Sequence, residues 1–183
     1  MKRLFVREYL RKLGIVIVFF MTSFSFLFSQ ANGNLAPTFY LTELNGDDFF
    51  ASRVFGEKAT DPSVVVLSFF ATWCIPCRAE APQLELLSQE FPDVEFYLVS
   101  VKDPTDKILS WLNKFDIELP VLVDKYGRTA EKFEVIGNDT NNTAGKTLPT
   151  LFVINKSGRI VYEHSGYEKG DELELKKMLE TLN

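Results

Sequence analysis

Apolar and polar positions along this chain change period several times, and each change marks an element. Residues 13–28 carry no charge and are mostly Ile, Val, Phe, Leu and Met. They come after a stretch with Lys2, Arg3, Arg7, Arg11 and Lys12 and precede Ser29-Gln30-Ala31, with small residues at both ends. That order predicts a secretory signal peptide, or an uncleaved signal anchor that would hold the chain at a membrane. The apolar run is shorter than the roughly 20 residues a bilayer-spanning helix prefers, and Thr22, Ser23 and Ser25 weaken it further. In either case the positive end stays inside and the chain beyond residue 31 lies outside the cytoplasm, periplasmic or otherwise extracytoplasmic. The chain therefore divides into a leader, 1–31, and a domain, 32–183.

Within the domain, residues 38–44 alternate polar and apolar, and Asn45-Gly46 is a tight-turn signal, so a β-hairpin is predicted, ending near Val54. Residues 64–71 form a near-continuous apolar run rich in β-branched residues, which suits a strand buried on both faces. From 77 to 90 the period becomes helical, with Ala81, Leu84, Leu87 and Phe91 in one stripe; Pro82 should kink this helix because it has no amide to donate. Residues 94–101 predict a second strand. Asp103-Pro104 reads as the N-cap and first residue of a helix over 105–115, with Ile108, Leu109, Leu112 and Phe115 inward. A short strand at 120–124, a short helix at 129–135 and a polar loop at 136–147 come next. Strands at 150–155 and 159–164, joined at Lys156-Ser157-Gly158, and a helix at 171–182 complete the chain. The last helix turns Leu175, Met178, Leu179 and Leu182 inward. Alternation of strand and helix in the middle requires a parallel core, and the last hairpin adds antiparallel edges. The fold class is α/β, with a mixed central β-sheet, helices on both faces and an N-terminal β-hairpin.

The charge balance narrows the partners. The chain has net charge −5, yet the leader holds five cations against Glu8, which leaves the domain near −9. An acidic domain with scattered basic residues has no footprint for a phosphate backbone, so nucleic acid is excluded.

Cysteine usage narrows the chemistry. The chain has two cysteines, Cys74 and Cys77, in Trp73-Cys74-Ile75-Pro76-Cys77-Arg78. A disulfide between such close neighbours closes a loop too short to add much stability. Zinc needs further Cys or His ligands, and His164 is the sole histidine. Covalent haem attachment needs His after the second cysteine, where Arg78 stands. Thiol redox chemistry fits the placement, at the junction of a buried strand and a helix. Free amides and partial positive charge at a helix start favour a thiolate on the first cysteine. The second cysteine is near enough to resolve a mixed disulfide on the first. Pro76 falls in the first turn, where a missing amide is harmless. No cofactor and no metal are expected.

The longer run from Trp73 through Glu80 to Pro82 resembles the active-site signature of the TlpA/ResA-like thiol–disulfide oxidoreductases of the thioredoxin superfamily. The resemblance extends from Ala36 to the C-terminus, because the element order also fits. It implies a thioredoxin-like fold, with Cys74 the exposed attacking cysteine, Cys77 the buried resolving one and Trp73 the flanking aromatic residue. Pro149, in Thr147-Leu148-Pro149-Thr150, matches the family's cis-proline; an X-Pro bond is the usual place for a cis peptide. That would leave the Leu148 backbone free to pair with an extended substrate. Glu80 matches an acidic residue kept near the cysteines, where it would tune a thiol or relay a proton; otherwise it is a solvated first-turn glutamate. Ser68 stands where cytoplasmic thioredoxins carry a buried acid. The 136–146 loop is longer than usual and borders the site.

The resemblance implies an exported enzyme that reduces protein disulfides, such as those of apocytochromes c before haem attachment, and that is recharged by a membrane thiol electron donor. Two other classes use cysteine thiols: a Cu(I)-handling module, which would use the pair but lacks a Met-rich tract here, and a thiol peroxidase, which wants Thr and Arg around a lone cysteine. His164 reads as a surface or satisfied residue.

Overall fold

The structure is a computed structural model that describes residues 33–137 and 145–182. The expected leader lies outside the described residues, as does the middle of the 136–147 loop. From residue 33 the chain lays down β1 (Tyr40–Glu43), β2 (Asp48–Phe50), a helical turn α1 (Ala51–Val54) and β3 (Val64–Phe70). Next come α2 (Cys77–Glu90), β4 (Val94–Val101), α3 (Thr105–Phe115), β5 (Val121–Asp124) and α4 (Arg128–Lys132). The chain closes with β6 (Thr150–Ile154), β7 (Ile160–Ser165) and α5 (Asp171–Leu182).

The strands make one mixed sheet in the order β2-β1-β5-β4-β3-β6-β7. β3, β4 and β5 are parallel neighbours. β6 pairs antiparallel with β3, β7 with β6, and β1 with both β5 and β2. This is the thioredoxin-like α/β architecture the element order implies.

β3 is buried at all seven positions, as its apolar run predicts. Its period of two splits the core. Val64, Val66 and Phe70 pack with α2, α3 and α5 on one face. Val65, Leu67 and Phe69 pack on the other with Phe39, Phe49, Phe55 and Phe133. Ser68 belongs to the first series, so its hydroxyl enters the face covered by α2. On α2, Cys77, Glu80, Ala81, Leu84 and Leu87 are buried, a spacing of three and four that defines one helical face. The helix runs through Pro82 without a break.

Three local expectations change. Residues 51–54 form a helical turn rather than the end of a hairpin strand, because Ala51 is fully buried and the Phe55 amide bonds back to its carbonyl. On α3, Trp111 is buried beside Phe70, with ring centroids 4.7 Å apart, while Leu109 is exposed. Asp103 does not cap α3: Pro104 takes the N-cap position and no side chain bonds to it.

Candidate active site

The site forms where β3 hands over to α2. The Cys74 amide donates to the Ala71 carbonyl at 3.0 Å, turning the chain sharply after the strand. Pro76 then takes the N-cap position, and the Ala79 and Glu80 amides both bond to its carbonyl. Cys74 and Cys77 are joined by a disulfide. The Cys77 amide, one of the donors a helix start leaves unused, points at Cys74 Sγ at 3.2 Å. A donor held there stabilises negative charge on that sulfur once the bond is reduced.

The expectation of an exposed Cys74 is corrected. In the disulfide it is 3% exposed, while Trp73 and Ile75 beside it are 70% and 73% exposed. The bond to Cys77 and the Cys77 amide hold the sulfur against the helix start, and the two large neighbours project past it. Cys74 still lines a groove of about 710 Å³, whereas Cys77 does not. Trp73, Ile75 and Pro76 form one wall; Thr147 and Leu148 stand on the other, with Lys102 and Lys146 also lining the groove.

The Leu148–Pro149 peptide is cis. The Thr147 and Pro149 carbonyls both accept the Gly166 amide, at 3.2 and 2.7 Å. Leu148 lines the groove and makes no backbone hydrogen bond among the described residues.

Glu80 is not a solvated first-turn residue. It is 4% exposed, and the Ser68 hydroxyl donates to its Oε2 at 2.6 Å. Burial pushes its carboxyl up to about 7, against the lowering effect of that hydrogen bond; the negative charge of Asp171 adds a smaller upward push. It sits one turn after Cys77 on the same buried helix face.

Asp103 is a site residue that sequence reading misplaces. Its carboxylate accepts the Thr72 amide at 2.7 Å, the Thr72 hydroxyl at 2.9 Å and the Ser100 hydroxyl at 3.2 Å. It thereby pins the loop that presents Trp73 and Cys74. Asp103→Ala leaves these donors without their acceptor and is expected to lower stability by about 2–3 kcal/mol. The drop should read as a lower urea midpoint at unchanged slope; an unchanged midpoint would mean that water replaces the carboxylate at no penalty.

A helix-start cysteine pair beside a groove, set on this sheet, defines a thiol–disulfide oxidoreductase of thioredoxin type. A family model described as the AhpC/TSA family matches residues 32–163. The chain belongs to that family. It is 30% identical over 148 residues to the thioredoxin-like protein YneN of Bacillus subtilis, covering 79% of this chain and 77% of that one. It is 29% identical over 150 residues to the thiol-disulfide oxidoreductase ResA of Bacillus thuringiensis subsp. konkukian, covering 80% of this chain and 78% of that one. A crystal structure from Chlorobium tepidum, carrying the provisional name thiol:disulfide interchange protein DsbE, superposes with TM-score 0.69 at 27% identity, over 82% of this chain and 97% of that one.

Proposed function

We propose that the chain works outside the cytoplasm as a reductant of protein disulfides, with Cys74 as attacking and Cys77 as resolving cysteine. The observation that carries this reading is the Cys77 amide on Cys74 Sγ, together with a groove that reaches Cys74 and not Cys77. Cys74 thiolate attacks a substrate disulfide, and one substrate thiolate leaves. Cys77 loses its proton to Glu80 and attacks Cys74 Sγ, the mixed disulfide breaks, and the second substrate thiolate leaves. Substrate has gained two electrons and the Cys74–Cys77 disulfide has formed, to be reduced again by a membrane thiol donor. Trp73 and Pro76 shape the rim, and Leu148, ahead of Pro149, offers its backbone to an extended substrate. Apocytochromes c awaiting haem are the proposed substrates, as the resemblance implies.

Residues 1–31 serve in this reading as signal peptide or membrane anchor, and 32–183 as the working domain. The family match beginning at residue 32 supports that division, as does the Ala36 amide docked on the Gly158 carbonyl at 2.8 Å. The reductive direction is supported by Ile75-Pro76, which places neither a cation nor a histidine between the cysteines to stabilise the reduced form strongly. The expected reduction potential, from equilibration with a dithiol couple, is roughly −250 mV or lower. A value near about −120 mV would reverse the direction. A peroxidase reading is disfavoured because the Thr72 hydroxyl is committed to Asp103 and has no proton to offer at Cys74.

A further inference from the structure

Glu80 does not line the groove. It lines a second, much smaller space between α2, β7 and the start of α5, with Tyr162, His164, Tyr167, Asp171 and Glu172 around it. This cavity has a volume of about 10 Å³, room for about one water. It shares no lining residue with the groove.

The groups that face Glu80 differ in how far they are committed. Ser68, from β3, occupies one carboxylate oxygen. The Tyr167 hydroxyl donates to Glu172 Oε2 at 2.7 Å, and the same oxygen accepts the Gly170 amide at 2.9 Å, so this pair is closed on itself. Tyr162 is kept protonated chiefly by burial, reinforced by Glu174, Asp171 and Glu80. His164 is different, and Asp171 is only partly committed: its Oδ2 accepts the Glu168 amide at 2.6 Å. Their side chains are 23% and 28% exposed, with Nε2 and Oδ2 3.0 Å apart. His164 Nε2 is nevertheless buried and out of hydrogen-bond alignment with that oxygen. The pair thus lines the cavity that Glu80 lines and also reaches water. Imidazole can take a proton on one nitrogen and release it from the other.

We propose that His164, with Asp171 and one water in this cavity, carries the proton of Glu80 to and from solvent on a face that bound substrate leaves uncovered. His164 acts through Glu80 and never on sulfur. During resolution the proton of Cys77 passes to the Glu80 carboxylate and then, by water and His164, to bulk. When the disulfide is reduced again, the same path returns it. Substrate lying in the groove would otherwise hinder exchange with solvent at the moment the proton must move.

This inference rests on Glu80 being the base for Cys77, and the test separates the two. Reduced full-length protein is mixed with an aromatic nitrobenzoate disulfide in dilute buffer. The first thiolate released reports attack by Cys74, the second reports resolution by Cys77. His164→Gln is expected to leave the first release unchanged and to slow the second about tenfold, with imidazole in solution restoring it and the rate tracking imidazole concentration. Asp171→Asn gives a second reading of the same step should the first variant fold poorly. Wild-type second release in both variants, or a slowing that imidazole does not relieve, overturns the route. A slow second release in Glu80→Gln beside a normal one in His164→Gln removes the route alone, whereas a wild-type second release in Glu80→Gln removes the base as well.

Discussion

Cys77→Ala is expected to abolish multiple turnover while leaving the first attack intact. The variant holds a single thiol in the whole chain, Cys74, so every covalent adduct must form there. With no resolving sulfur, the mixed disulfide persists, and about one equivalent of substrate should accumulate per protein. Mass spectrometry of the adduct purified from cells would name the substrate. Cys74→Ser gives the converse: Cys77 is buried and does not line the groove, so no adduct should form. Rapid adduct formation at Cys77 would exchange the two roles.

Glu80→Gln should change stability and catalysis in opposite directions above neutral pH. Between the ordinary carboxyl value of 4.5 and about 7, folded Glu80 keeps a proton that the unfolded chain has released. Its favourable contribution is therefore complete below pH 4.5 and is lost as pH rises through about 7. Above that, the native state must hold a buried charge. Glutamine can still accept the Ser68 hydroxyl and carries no charge, so the oxidised variant should exceed wild type by on the order of 3 kcal/mol near about pH 9. Little gain should remain in acid. Resolution by Cys77 should slow about a hundredfold and lose its rise through neutrality. Denaturant titrations at several pH values, beside single-turnover rates, check both halves. A stability gap that does not widen with pH would mean that Glu80 titrates near its ordinary value in the folded protein.

Most of the scaffold was legible because its elements have strong periods and clear ends. Cys77–Glu90, Val94–Val101, Thr105–Phe115 and Asp171–Leu182 lie where apolar spacing predicts them. The cysteine pair, the proline after Leu148 and the acid one turn beyond Cys77 were visible as a linear motif. The features that escaped depended on meetings distant in sequence. Asp103-Pro104 has the look of a cap, but its carboxylate is claimed by Thr72, 31 residues earlier. Helical spacing marks a stripe on α3 but not its rotation, so it points Leu109 inward and leaves out Trp111, the reverse of their burial. The burial of Cys74 arises from its bond to Cys77 and the helix-start amide, while Trp73 and Ile75 project past it, which a string of letters does not carry. The cavity behind Glu80 draws on β7, the loop after it and α5, and no single stretch announces it.

Leu148 has consequences for how long partners stay. Among the described residues its own amide and carbonyl have no backbone partner, while the carbonyls on either side both accept the Gly166 amide. An extended client laid along this wall finds at most a two-bond ladder, worth roughly 1 kcal/mol per bond. Most of the hold on a client must then come from the transient sulfur–sulfur link itself, so that in the proposed cycle, once Cys77 severs it, the released chain drifts away and the next can enter.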